Sequence, residues 1–211
     1  MDCQFLVGTI QNLLSAMEDA FVRYYMTLAN VRENDAYKRL TDSNGTICII
    51  SEASRCASAS LETYFIKAYS ILDILCKICY EIQEKQSDFS QYKKIKSADV
   101  LWGFRKKLLI NEKENTLFEK CNLVSMIESL RNESVHNGTW ELNPKIFVRY
   151  SDGIAEDRFM LFPDMLQGRL ATVKNRKHFF AKGTKVNNVL PYIHAEFKQR
   201  LLQTLVAINE K

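Results

Sequence analysis

In "LRNESVHNGTW", residues 130–140, Arg131, Asn132 and His136 fall within six positions, and Asn137-Gly138 follows. On an α-helix, at about 100° per residue, Asn132 and His136 lie on one face and Arg131 about 140° from His136. A long Arg side chain can bend across that arc, so the three polar ends can converge on one patch. An imidazole titrates near neutral pH and can remove a proton from a ribose 2′-hydroxyl. A guanidinium can hold a phosphate through two hydrogen bonds and stabilise charge developing there. An Asn amide can orient the imidazole or an oxygen. Such a trio could cleave an RNA phosphodiester, and it would need no metal because RNA carries its own nucleophile. The same residues also suit an ordinary helix end, with cations near the C-terminus and His136 capping carbonyls. The helix dipole opposes a bound phosphate by roughly 0.3–1 kcal/mol. One charge-assisted Arg hydrogen bond, at roughly 1.5–3 kcal/mol, outweighs that.

The elements that must position these groups are mostly helical. The chain has 211 residues but only 7 Gly and 3 Pro, which favours long helices over many short strands. Leu6, Ile10, Leu13, Met17, Phe21, Tyr24, Leu28 and Val31 recur at helical spacing and predict a helix over 4–32. "TDSNGT", 41–46, is a turn signal. A second helix is expected over 50–86, with Leu61, Tyr64, Phe65, Ala68, Leu72, Leu75, Cys79 and Ile82 as its stripe. Ile71, Ile74 and Ile78 widen the stripe, which makes this helix central. A polar link precedes a short helix over 98–110 containing Trp102 and Phe104. The helix carrying the trio is expected over 115–137, with Gly138 as the left-handed residue that ends it. "KIFVRY" and "RFMLFP" predict a β-hairpin, 145–150 and 158–162, with "SDGIAED" as its loop. A last helix is expected over 187–209.

Other chemistries find little support. Cys76 and Cys79 form a C-x-x-C, but mid-helix and without further ligands nearby, so core packing is the plainer reading. No glycine-rich phosphate loop, G-x-S-x-G elbow or His-Glu-x-x-His occurs. His178 and His194 stand alone. No metal and no cofactor is implied. No run of 18 apolar residues suggests a membrane span. "MDCQFLVGTIQNLL" reads as a helix start and not a signal peptide. Six cysteines without framework spacing fit a reducing, cytoplasmic setting.

"LRNESVHNG" resembles the signature of the HEPN superfamily, an all-helical group whose pattern is Arg, a polar residue, often Asn, a few variable residues, then His. Arg131, Asn132 and His136 match it one by one. The upstream "SLETYFIKAYSILDILCKICYEI" is similar to the long helix that packs beside the motif helix in that group. The resemblance covers roughly 1–140 and 187–209. It implies an all-α fold: one helical domain, 1–211, with a β-hairpin inserted around 144–163. It implies a metal-independent endoribonuclease in which His136 moves the proton, Arg131 holds the scissile phosphate and Asn132 positions them. Such proteins often act as homodimers with the two motifs facing across a cleft. Many serve toxin–antitoxin, phage-defence or RNA-processing systems, so an antitoxin or regulatory partner is also implied. Glu128, one turn before Asn132, reads either as an orienter of Arg131 or as a surface charge. A toxin subgroup carries a Tyr two positions after the His. Gly138 stands there in this chain, so control by modification of that Tyr does not carry over. Members without nuclease activity serve as dimerisation, nucleotide- or partner-binding modules. They tend to lose the Arg or the His, and this chain keeps both.

The formal net charge is +4, but it is unevenly spread. Residues 142–211 hold 12 Lys and Arg against 6 Asp and Glu, while the first 141 hold 17 against 19. The basic C-terminal third can attract a polyanion. Within it Lys174, Arg176 and Lys177 adjoin His178, Phe179 and Phe180, a grouping that suits backbone phosphates and stacked bases. A solvated loop has the same composition. Replacing Lys174, Arg176 and Lys177 by Ala should weaken RNA binding and flatten its dependence on salt. A filter-binding titration across salt concentrations reads this directly, and an unchanged slope would return the segment to a solvated loop.

Overall fold

The computed structural model of the protein describes residues 3–32, 34, 36–41, 45–83, 113–171 and 178–210. The described elements run α1 (Cys3–Asn30), β1 (Lys38–Thr41), β2 (Thr46–Ile50), α2 (Glu52–Gln83), α3 (Asn122–Asn132), a π turn (Glu133–Asn137), β3 (Ile146–Ser151), β4 (Ile154–Phe159), β5 (Met165–Leu166), β6 (Arg169–Leu170) and α4 (Val186–Asn209). The expected short helix over 98–110, and the link before it, lie outside the described residues.

Helices α1 and α2 pack along each other, and α3 lies against α2. Of the residues that predicted α1, Leu6, Ile10, Met17, Tyr24, Leu28 and Val31 are buried, and Leu13 and Phe21 pack at the edge of the same core. In α2, Tyr64, Phe65, Ala68, Ile71 and Leu75 lose all contact with solvent, whereas Ile82 is exposed. The start of α2 is set by Ser51 and Ser54. Ser51 N donates to Ser54 Oγ at 3.0 Å and Ser54 N to Ser51 Oγ at 3.3 Å, a reciprocal cap built from two serines.

The expectation of an all-α bundle with an inserted hairpin is overturned. The protein is mixed α/β, with a four-stranded antiparallel sheet ordered β1-β2-β3-β4 and a separate two-stranded ribbon, β5-β6. The β3–β4 hairpin is therefore no appendage: Thr46–Ile49 of β2 pair with Ile146–Arg149 of β3. One sheet face, carrying Ile47, Ile49, Ile146 and Val148, is buried in the common core, as alternation along a half-buried strand requires. On the other face Phe147 stacks on its cross-strand partner Phe159 at 5.4 Å. The turn signal at 41–46 does fall between β1 and β2, although residues 42–44 lie outside the described set. The loop of the second hairpin is shorter than expected. Asp152 and Gly153 alone make the turn, with φ of 51° and 78°, and Ile154–Asp157 belong to β4. Both central residues of such a two-residue turn need positive φ, which Asp-Gly tolerates well. Opposite β3, Asp157 pairs with Arg149 and Ala155 with Tyr150, so a bulge absorbs Glu156.

The motif helix begins later than its periodicity predicts. Asn115 has φ of +61°, a left-handed conformation that ends any helix there. The chain reaches α3 only at Asn122. Helix α4 starts within one residue of expectation. Its Pro191 removes the donor that would reach the Asn187 carbonyl, and Tyr25 Oη donates to that carbonyl instead, at 3.4 Å. The Asn187 side chain accepts from Tyr24 Oη at 2.9 Å and donates to the Arg158 carbonyl at 2.7 Å. One amide thus joins α1, α4 and β4. No helix among the described residues is long and apolar enough to cross a membrane.

The β5–β6 ribbon turns at Gln167-Gly168 and presses on the first turn of α3. A Cβ on Gly168 would stand 2.5 Å from the Asn122 carbonyl oxygen and 2.8 Å from Ser125 Cβ, at a φ of +75°. The obstructing atom is main chain, which cannot swing aside. Gly168→Ala should therefore cost about 1–3 kcal/mol of stability, the range for a forced overpacking. A lowered urea midpoint with an unchanged m-value is the expected result.

Candidate active site

Arg131 is the last residue but one of α3, and Asn132 the last. Beyond them the backbone widens into the π turn that carries His136. In a π turn the main chain bonds five residues back, so a residue comes to lie nearly over the fifth before it. An α-helix would leave Arg131 and His136 well apart around the axis. The widened turn removes much of that gap. Arg131 Nη1 donates to Asn132 Oδ1 at 2.8 Å and meets His136 Nε2 at 3.2 Å. A guanidinium has no acceptor, so a hydrogen bond between them makes His136 Nε2 the acceptor and leaves Nδ1 as the ring's donor. Among the described residues, Arg131 Nε and Nη2 carry no hydrogen bond and remain to grip an anion.

The guanidinium lies over the Tyr69 ring of α2, 5.1 Å from its centroid, which fixes the plane of the fork. Glu128 lies close enough to interact with both Arg131 and Arg169. Burial holds its carboxyl above the usual range, and the two arginines pull it down. His136 is exposed, while Arg131 and Asn132 are half-buried.

The helix end is held by its sequel. Trp140 turns back beneath it, buried against Phe65 at 5.4 Å between ring centroids, and its indole Nε1 donates to the Leu130 carbonyl at 3.2 Å. Ser134 Oγ donates to the same carbonyl at 3.1 Å. These donors satisfy part of the negative end of the helix and lessen its opposition to a phosphate. Thr139 Oγ1 donates to Glu62 of α2 at 2.6 Å, which ties the loop down. Gly138 does end the helical run, but with φ of 103° and ψ of −115°. That is a conformation for glycine alone and not the left-handed cap expected.

The structure thus brings Arg131, Asn132 and His136 together. Lys174, Arg176 and Lys177 lie outside the described residues. Phe179, two residues beyond Lys177, is exposed, and Lys182 donates to the Met165 carbonyl at 2.8 Å. Sequence reasoning missed Tyr69 and the placing of His178. His178 Nε2 lies 3.1 Å from Glu133 Oε1, with the ring almost wholly buried. The two residues are 45 positions apart, and no local pattern links them. His194 stays away from the trio, stacked on Phe21 at 4.6 Å. Burial holds its imidazole below the ordinary range, with Lys198 adding to the effect and Glu18 opposing it.

No group of three or more His, Cys, Asp or Glu that could hold a metal ion occurs among the described residues. Cys76 and Cys79 are buried and unpaired. Burial raises both thiols, Cys76 well above its ordinary value and Cys79 to about 12. A thiol held protonated is neither a nucleophile nor a metal ligand. No protein-family model, curated protein or solved structure matches this chain.

In a thiol titration of the native protein at pH 8, exposed Cys56 should react fast. Cys76 and Cys79 should react only as fast as the protein unfolds. Rapid labelling of either would give the C-x-x-C back a chemical role.

Proposed function

We propose that the protein is a metal-independent endoribonuclease of the HEPN type, with Arg131, Asn132 and His136 as its catalytic residues. The observation that carries this reading is the double contact of Arg131 Nη1 with Asn132 Oδ1 and His136 Nε2. A helix end whose His merely capped carbonyls would turn that ring toward the main chain. Here it meets a guanidinium whose other nitrogens are open to an anion. The resemblance to the superfamily now rests on the motif and on the packing of α2 beside α3, because the four-stranded sheet has no counterpart in the minimal helical pattern.

The chemistry follows from what each group can hold. An RNA phosphate competes with His136 for Arg131. A phosphate carries a full negative charge and can take two parallel bonds from the fork, whereas the uncharged imidazole nitrogen takes one, so the phosphate wins the guanidinium and Nε2 is released. Nε2 then accepts the proton of the ribose 2′-hydroxyl. The 2′-oxygen forms a bond to phosphorus as the bond to the 5′-oxygen breaks, and the 5′-oxygen takes the proton that the His136 imidazolium gives back, which restores the neutral ring. Arg131 stabilises the charge that builds on the phosphoryl oxygens. Asn132 Oδ1 keeps the guanidinium in register throughout.

The trio stands on an open surface, with Val135 and Leu142 exposed nearby in the chain. An open face offers few groups to a phosphate, and a second copy would supply a facing set. The active species is therefore a homodimer with both His136 side chains on one groove. Light scattering at micromolar concentration should report twice the chain mass, and a fully active monomer would refute this.

Purified wild type should cleave RNA in the presence of EDTA and leave 2′,3′-cyclic phosphate ends, and RNA blocked at the 2′-oxygen should resist. His136→Ala and Arg131→Ala should each remain folded by circular dichroism and lose about 10²–10⁴-fold in rate. Cleavage that survives both substitutions, or that vanishes with chelator, would return these residues to a helix end.

A further inference from the structure

Glu133 lies between Asn132 and His136 in sequence but makes its contacts elsewhere. Its Oε2 accepts from Asn137 Nδ2 at 2.8 Å, across the π turn from one end to the other. Its Oε1 lies 3.1 Å from His178 Nε2. The Glu133 side chain is 13% exposed and that of His178 only 2%. The carboxylate is thus closed in on one side by the turn it belongs to and on the other by a buried ring.

That ring is itself firmly placed. The backbone N–H groups of Ala181 and Lys182 donate to the two carboxylate oxygens of Asp164, each at 3.1 Å. Asp164 N donates to the Phe179 carbonyl at 2.7 Å, and Ala171 N to the Asp164 carbonyl at 2.8 Å. Asp164 therefore clamps the segment after His178 to the foot of the β5–β6 ribbon. The ribbon packs on α3 through Gly168 and through Leu170 N, which donates to Ser129 Oγ at 3.1 Å. His178 approaches the motif from a frame anchored to the motif helix itself. Neither ring nitrogen of His178 makes a directed hydrogen bond, although Nε2 stands at ion-pair distance from Glu133. Buried ring nitrogens left without hydrogen bonds are uncommon, and here Nε2 stands 3.1 Å from the Glu133 carboxylate.

We propose that Glu133 is a positioning residue. Bonded to Asn137 and closed in by the His178 ring, its carboxylate keeps the π turn wide, and the wide turn sets His136 Nε2 against Arg131. The kinetic consequence rests on the ribonuclease reading, whereas the geometric one does not. Without the grip, the turn can tighten toward an α-helix, which carries His136 around the axis and away from the guanidinium. A misplacement of about 1 Å can cost about 10²-fold in rate.

Two measurements on the full chain test this. The first is the imidazole tautomer of His136 from nitrogen-15 NMR, above the pH at which the ring is protonated. In the wild type the proton should sit on Nδ1, because Nε2 accepts from Arg131. Free imidazole side chains in water favour the opposite tautomer. The second is the steady-state kinetics of RNA cleavage. Glu133→Ala should lose the Nδ1–H preference and about 10²-fold in kcat, with KM unchanged. Glu133→Gln keeps an oxygen for Asn137 and should recover both. His178→Phe preserves a buried ring without nitrogens and should shift tautomer and kcat in the direction of Glu133→Ala. It also keeps the question decidable should the alanine variant fail to fold. A Glu133 of merely structural value would lower the unfolding midpoint and leave the tautomer and kcat of the folded protein as in the wild type, and that result overturns the proposal. A wild type that cleaves no RNA overturns the ribonuclease reading alone, and the tautomer then decides the role of Glu133.

Discussion

Helix α2 is buried along most of its length, and the other elements are arranged by the need to cover it. Tyr64, Phe65, Ala68, Ile71, Leu75 and Cys76 have no exposure at all, and Leu61 and Leu72 have almost none. An amphipathic stripe can be satisfied by one neighbour, but a helix apolar over this much of its circumference needs several. Helix α1 covers one side, α3 another, and β2 meets it near its start. The aromatic contacts of Phe65 with Trp140 and Phe162 bring the chain after the motif onto the same helix. At roughly 25 cal/mol per Å² of apolar surface, the burial of these side chains is the main favourable term in the fold.

The candidate site is a by-product of that packing and of one local departure from it. Helix α3 docks through Leu123, Val124, Ile127 and Leu130, which places Arg131 over Tyr69 of α2. After Leu130 no residue of the π turn is buried. The backbone is free of packing there, and polar contacts settle its course: Trp140 and Ser134 on the Leu130 carbonyl, and Asn137 and His178 on Glu133. A turn whose shape depends on a few polar contacts can be retuned by single substitutions, whereas the core beneath it tolerates little change in volume.

The sheet has a different origin. Its first hairpin leads into α2 and its second follows α3 and the π turn, and neither would be stable as an isolated ribbon in water. They meet because Ile47 and Ile49 of β2, with Ile146 and Val148 of β3, bury one continuous apolar face on the helices. Strand β1 is exposed along its whole length and forms one edge. Its Lys38 and Arg39 are charges of the kind that discourage pairing with another chain.

How much of this was legible in one sequence follows from the range of the forces involved. Helices α1, α2 and α4 were legible because burial imposes a 3.6-residue period that needs no knowledge of the partner. The β3–β4 hairpin was legible because Asp152-Gly153 announces it, although β-prone composition misled its second strand, which begins at Ile154. Arg131, Asn132 and His136 were legible as types that could act together, because they are near neighbours in the chain. Strand β2 was not: "TICII" is too short an apolar run to distinguish a strand from the start of α2. Only its pairing with β3, about a hundred residues on, decides the matter. The late start of α3 turned on the left-handed Asn115, which periodicity does not register. The placing of His178 against Glu133 and the π turn that turns His136 toward Arg131 belong to the tertiary structure alone. They depend on contacts between distant residues, and the sequence within one helical turn specifies a period without naming what will pack against it.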